Sequence, residues 1–429
     1  MNNIGLLIKM SRIQQNMKQV TLAKGICSTS YLSKIENNQT VPSDEVLQLL
    51  LSRLHLNIDE LSTGDEEALV GKLFNLYKEA IIERKKDLVE DKLKILYDKN
   101  FLFKDSNNYY LFNLYILRIK LIITPSSLEI EKILDGLDQM RVNFDNRQNF
   151  IFHINYGLFY HQNKDYKKAL LHLEQALTII SNFHIEDWEL ADFFNIISIT
   201  YLLNNQLLNT IEYSHKALKI YKDLFIFNRA IDCYIVIGIA QKRTMNFKPA
   251  EENFLLAKKI AGELKIKEQD SVINSNLGSL MSVMGNSEMA IQYFFKSLEG
   301  TLTLDIKLTT IFSIIQEYFK TRMIREVIFW CTEGLNLINE TKHSSLLSFS
   351  YHFNLYLAIS NNSPDKEQLI IDTISYFEKT EDYRHAQKYS ILLAEYYAEL
   401  RKYKNSTICF QKANIYLYKQ KSLNKWEDL

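Results

Sequence analysis

The feature that most restricts this chain is a helix-pair pattern that returns every 34 to 41 residues from about residue 66 onward. In its clearest copy Tyr156, Gly157 and Tyr160 fall on a first helix and Asp165-Tyr166 on a turn. Ala169, Leu173 and Ala176 then stripe a second helix. The same offsets carry Ser198, Tyr201, Thr210, Ser214 and Ala217, then Gly238, Gln241, Ala250, Phe254 and Ala257, then Leu277-Gly278, Met281, Ala290, Phe294 and Ser297. Fainter copies hold Tyr318, Val327, Cys331 and Gly334, and Tyr397, Ser406, Phe410 and Ala413. Small residues let helices cross closely while large ones fill the space between. A period of this length marks a solenoid, whose units bury their apolar faces against one another. About nine pairs fit, those at 71–104, 109–144 and 347–382 only loosely.

Only 12 Gly and 4 Pro punctuate 429 residues, and 47% are hydrophobic. Long helices joined by short turns follow, so the expected fold class is all-α. Cys27, Cys233, Cys331 and Cys409 stand far apart with no C-x-x-C pairing, as reduced thiols filling small core positions do. No apolar run approaches the roughly 18 to 20 residues of a membrane span. Asn2 and Asn3 stand where a signal peptide would be positive. The expectation is a cytoplasmic protein with no membrane contact.

The net charge is zero, which offers no global attraction to nucleic acid. Locally the balance differs. Lys9, Arg12, Lys18, Lys24 and Lys34 precede the first acidic residue, Glu36. Ile4, Leu7, Ile8 and Ile13 stripe a first helix, and Val20, Leu22, Ala23 and Ile26 a second that ends near Gly25. The hydroxyls at Ser28, Thr29 and Ser30 suit the start of a third helix, Tyr31 to Glu36, which buries Leu32 and Ile35. Two short helices across a tight turn make a helix-turn-helix, and the third presents a polar face of the size a major groove admits. Pro42-Ser43 opens a fourth helix, and Ile58 with Leu61 is expected to close a small fifth after Asn57. The domains expected are therefore 1–65, binding DNA, and 66–429, a repeat array.

The run L-A-K-G-I-C-S-T-S-Y-L-S-K-I-E-N-N-Q-T-V-P-S, from Leu22 to Ser43, resembles the helix-turn-helix of phage-repressor-type regulators. Its I-C-x-x-S-x-x-S-[KR]-I-E-x-x-x-x-x-P-S spacing is similar to that of peptide-responsive regulators of Gram-positive bacteria, the Rap, NprR, PlcR and PrgX group. The resemblance implies that Gln19 meets a DNA phosphate and that Ser28, Thr29 and Ser30 open the recognition helix. Ser33, Lys34 and Asn37 would then lie near the backbone or base edges. Ser28 and Ser30 serve equally well as simple caps, and Glu36 is expected to pair with a basic neighbour inside the domain, since a carboxylate facing phosphate would repel it.

The helix pairs resemble the tetratricopeptide repeat, well over residues 150 to 420, although the usual first-helix Trp is missing. That resemblance implies a right-handed superhelix whose concave wall, built from first helices, receives an extended peptide. Asn both donates and accepts, matching a peptide group, and Arg forks onto a carboxylate. Asn155, Asn195 and Asn276 are the first-helix candidates, with Arg243, Arg118 and Gln316 beside them. Asn is abundant in this chain, and a solvated or turn position accounts for each as readily.

No phosphate loop, H-E-x-x-H, G-x-S-x-G or paired-Cys motif occurs, so neither enzyme chemistry, cofactor nor metal is expected. His153 and His161 share a helix face without further ligands and read as groove or surface residues. Glu427-Asp428, after Trp426, reads as a solvated terminus. The expectation is a homodimeric regulator that binds a palindromic operator under control of a short signalling peptide. The alternative is a repeat scaffold that binds a phosphorelay response regulator and inhibits or dephosphorylates it, although no Rap-type N-terminal bundle can be matched.

Overall fold

The computed structural model describes residues 4–56, 58–60, 63–97, 100–124, 128–300, 303–341, 346–421 and 423. The chain forms two compact units, residues 1–260 and 261–429. The first begins with four short helices, α1 (Ile4–Gln14), α2 (Gln19–Ala23), α3 (Thr29–Glu36) and α4 (Asp44–Arg53). Ser28 and Ser43 cap α3 and α4 by accepting from the backbone N–H groups of Tyr31, at 3.1 Å, and Val46, at 3.4 Å. Gly25, at φ +76°, makes the left-handed step that an L side chain resists between α2 and α3. Ile4, Leu7, Ile8, Leu22, Leu32, Ile35 and Leu50 form the core of this head.

The segment expected to give a fifth small helix is a strand instead. Ile58–Glu60 (β1) pairs in parallel with Asn100–Leu102 (β2), in the register Ile58 with Asn100 and Glu60 with Leu102. Backbone pairing across some forty residues of sequence overrides a weak local preference, and Leu102 enters the head core. Asn57 and Leu61, like Trp426 and the Glu427-Asp428 pair, lie outside the described residues.

Helix pairs follow, as the period implied. In the first unit they are α5 (Thr63–Ile82) with α6 (Lys86–Tyr97), α7 (Ser106–Ile123) with α8 (Leu128–Asp138), α9 (Asn146–Gln162) with α10 (Tyr166–Ile179), α11 (Asp187–Leu203) with α12 (Leu207–Asp223), and α13 (Phe227–Arg243) with α14 (Phe247–Glu263), whose last residues begin the second unit. The second unit holds α15 (Lys267–Val283) with α16 (Ser287–Leu298), α17 (Leu304–Lys320) with α18 (Ile324–Thr341), α19 (Leu347–Ser360) with α20 (Lys366–Lys379), and α21 (Tyr383–Glu399) with α22 (Tyr403–Lys421). Helix α5 starts eight residues before the expected 71. The buried Glu66 carboxylate holds its first turn by accepting from the backbone N–H groups of Lys104, at 2.5 Å, and Asp105, at 3.2 Å.

The repeated small residues sit where first and second helices touch. A β-carbon on Gly157 would fall 2.7 Å from Leu173, on Gly238 2.6 Å from Phe254, and on Gly278 2.7 Å from Phe294. Each pair is sixteen positions apart, so the sequence period and the packing contact are one fact. Gly71, on α5, has open space around it. Gly238→Ala should therefore lower stability by about 1–3 kcal/mol through overpacking. Gly71→Ala should raise it by roughly 0.5–1 kcal/mol. Urea denaturation of both variants checks the opposite signs.

Candidate functional site

Three helices of the head are locked by one carboxylate. Glu36, 1% exposed at the end of α3, accepts from Arg12 on α1 through Nε, at 2.5 Å, and Nη2, at 2.9 Å. Gln19, at the start of α2, donates to the same carboxylate at 2.7 Å. Glu36 is thus an internal partner, as expected, and sets the angle of α2 and α3 together. Gln19 reaches only half to the surface, and its amide is engaged there. Arg53 on α4 donates to the carbonyls of Leu22, at 2.9 Å, and Lys24, closing the end of α2.

Around this lock α3 turns a polar face outward. Ser28, Thr29, Ser30, Lys34 and Asn37 are exposed and Ser33 is half-buried. Ser28 also acts as the cap, so both of its readings are compatible with the geometry. The five basic residues do not share one surface. Lys18, Lys24 and Lys34 are exposed, Arg12 is buried against Glu36, and Lys9 folds toward the Gln139 carbonyl at 3.4 Å. Burial holds the Lys9 ammonium below the usual lysine range. Arg12→Ala strands a buried carboxylate and should cost the head about 3–5 kcal/mol, whereas Arg12→Leu combined with Glu36→Leu should cost far less. Thermal unfolding followed by circular dichroism compares them.

The head is continuous with the first repeats. Leu6 and Met10 leave the head core and join the core of α5 to α13, and α1 lies along α8. Tyr109 donates its hydroxyl to the Leu6 carbonyl at 3.4 Å. A cleft of ≈ 510 Å³ runs beside this contact, lined by Lys9, Asn37 and Gln39 of the head and by Asn107, Tyr110 and Gln139. Asn37, a candidate for base contact, thus borders the repeats as well.

Further along the first unit, first helices are joined by buried charge. Asp192 on α11 accepts from Arg118 on α7 at 2.5 Å and from Arg229 on α13 at 2.9 Å. Arg229 also meets Asp232 at 3.1 Å, and Arg84 pairs with that same carboxylate. Arg147 on α9 grips Glu189 in bidentate fashion, at 2.6 and 3.0 Å, and touches the Tyr115 hydroxyl at 3.2 Å. Desolvation holds the Tyr77 phenol well above its usual range and pushes Glu189 up against the pull of Arg147. Four first helices are thereby fixed relative to one another.

The residues marked for peptide contact fall into two groups. Arg118 is 2% exposed, and with its guanidinium clasped by Asp192 it is not open to a ligand. Asn155, fully buried, donates to the Leu114 carbonyl at 3.0 Å, and Asn195, 3% exposed, accepts from the Cys233 thiol at 3.7 Å. These three belong to the seams between helices, because an amide or guanidinium placed there must satisfy buried polar partners. Arg243 is exposed and reaches the Leu202 carbonyl at 2.8 Å. Asn276 is half-buried, its amide turned to Val272 of its own helix at 2.9 Å, and Gln316 is half-buried beside the Tyr356 hydroxyl.

His153 is buried rather than on a surface. Arg141 lies 3.0 Å from its Nε2 and His172 3.2 Å from its Nδ1, and desolvation first, then these neighbours, depress it to about 3. His161 is half-buried near Thr200 at 3.4 Å. Asp192, Glu189, Arg147 and Arg229 escaped the sequence reading. The available signal was Glu189 and Asp192 set three apart in an otherwise apolar stretch of α11, since charges there need buried partners.

A helix-turn-helix family model matches residues 8–61. Over 393 residues, covering 89% of this chain and 95% of the relative, the sequence is 30% identical to the transcriptional activator NprA of Geobacillus stearothermophilus. The apo form of the quorum sensor NprR from B. thuringiensis superposes with a TM-score of 0.66 at 17% identity, covering 82% of this chain and 99% of that one. NprR in complex with its cognate peptide NprX gives 0.57 at 18% identity, over 82% and 97%. Fold and comparisons therefore define a DNA-binding transcription regulator with a helix-turn-helix head on helical repeats. The chain belongs to the family of the transcriptional activator NprA.

Among the described residues no helix is long and apolar enough to cross a membrane.

Proposed function

We propose that this regulator is cytoplasmic and acts as a homodimer whose repeats take up a short signalling peptide, and that the peptide changes how two heads engage a palindromic operator. The observation that carries this reading is the shared core of α1 with α5 to α13, which leaves the head no independent hinge at that contact. A change in the packing of the first repeats then changes the placement of α3. NprR, a structural neighbour, is described in complex with a cognate peptide, which supports the peptide assignment.

In this reading residues 1–65 supply the DNA contacts and 66–429 the ligand and dimer contacts. Thr29, Ser30, Ser33, Lys34 and Asn37 meet the groove, with Ser28 and Gln19 at its phosphate edge. Arg243 in the first unit and Asn276 and Gln316 in the second are the peptide-facing residues, while Arg118, Asn155 and Asn195 tie first helices of the first unit to one another. Three exposed lysines give one head little electrostatic hold on DNA, so paired heads are needed for a firm complex. A peptide alters operator affinity only if it binds the two arrangements unequally.

The test uses purified full-length protein, DNA upstream of its own operon and synthetic peptides from adjacent small reading frames. One peptide should change operator affinity at least tenfold, with a dimer in the DNA complex. Lys34→Ala should lower the slope of log affinity against log salt by about one. Equal operator affinity with and without every such peptide would overturn the peptide control. An unchanged salt slope would remove Lys34 from the interface.

A further inference from the structure

In the second unit an ammonium group is set among rings with no carboxylate paired to it among the described residues. Lys388 on α21 donates to the Tyr356 hydroxyl on α19 at 3.0 Å. Its Nζ lies 5.3 Å from the Phe312 ring centre on α17, 5.4 Å from Tyr356 and 5.5 Å from Tyr389. The rings are themselves fixed. Phe312 stacks on His352 at 4.3 Å, and His352 accepts or donates at 2.5 Å with the Tyr389 hydroxyl. Three first helices thus build one seat, and its single cation has three N–H donors against one hydroxyl acceptor.

The surrounding charges do not balance Lys388. Burial, then Arg384 on its own helix and Lys320 on α17, lower it to about 8. Lys320 is already paired with Glu317 at 2.5 Å, and Asp382 with His385 at 2.7 Å. His352, depressed to about 2 by desolvation, is neutral, and burial raises the phenols of Tyr356 and Tyr389. A half-buried cation with donors to spare and no counter-ion among the described residues favours a small anion, and ring faces alongside suit an apolar residue next to that anion.

We infer that Lys388, seated among Phe312, Tyr356 and Tyr389, is the receptor for a carboxylate of the bound peptide. The inference deepens the peptide reading and rests on it. Peptide carboxylates come from the C-terminus or from an acidic side chain, and the two sources are separable by probe.

The experiment is competitive acetylation of the full chain with acetic anhydride across pH, read at Lys388 by mass spectrometry. Three probes are added in turn at about 10 mM: N-acetyl-phenylalanine, its amide, and N-acetyl-aspartate α-amide, whose one carboxylate is that of the side chain. The expected labelling midpoint near pH 8 in free protein should rise by at least one pH unit with a carboxylate probe and stay put with the neutral amide. A shift with the phenylalanine acid alone selects the peptide C-terminus, and a shift with the aspartate probe alone selects an acidic side chain. No shift with either acid, or an equal shift with the neutral amide, overturns the site.

For any peptide found to change operator affinity, Lys388→Met should weaken binding at least tenfold and Lys388→Arg should retain most of it. Unchanged affinity in Lys388→Met defeats the site while leaving peptide control intact. A carboxylate-responsive Lys388 in a protein whose operator binding ignores all peptides defeats peptide control while leaving the site intact.

Discussion

Helix α1 is buried on two sides, and the arrangement of the first unit depends on that. Ile4, Leu7 and Ile8 face the head, while Leu6 and Met10 face the repeats. A helix that is apolar around its circumference must be covered around its circumference. Each Leu or Met taken out of water contributes about 1.5–3 kcal/mol, so the two outward residues hold the head against α8 with an energy comparable to the cost of breaking a buried ion pair. The β1–β2 pairing adds a second tie, because Leu102 completes the core of the head from the repeat side.

The same logic extends along the first helices by charge instead of apolar surface. Asp192 receives guanidinium groups from α7 and α13, and Glu189 receives another from α9. Such pairs add little net stability over apolar packing, but removing one member is costly. They fix register: a helix that slid by one turn would leave a buried charge unmatched. Helical repeats built this way have few intermediate positions, which suits a scaffold that must exist in a small number of arrangements.

Much of this was legible in the sequence, and the reasons are physical. The offset of sixteen between Gly157 and Leu173, Gly238 and Phe254, and Gly278 and Phe294 is a contact written as a spacing, so the helix pairs could be placed. Glu36 could be assigned inward because a carboxylate on a DNA face is unfavourable. Ile58 misled because its conformation is decided by Asn100, far along the chain. Arg118 misled for a related reason. A charged residue looks alike on a ligand-facing wall and in a buried ion pair, and only its partner on another helix distinguishes the two. The outward side of α1 was visible as an unusually apolar run, Ile4 to Ile8, but nothing local says what covers it.

Native-state amide hydrogen exchange tests the central claim, that head and first repeats share one core, most directly. Protection of α1 and α3 is measured in the intact protein and in Leu137→Ala, a change confined to the buried side of α8. A shared core predicts that amides of α1 and α3 lose protection together with those of α8, by a similar free energy. Loss of protection in α8 alone, with the head unchanged, would contradict the account.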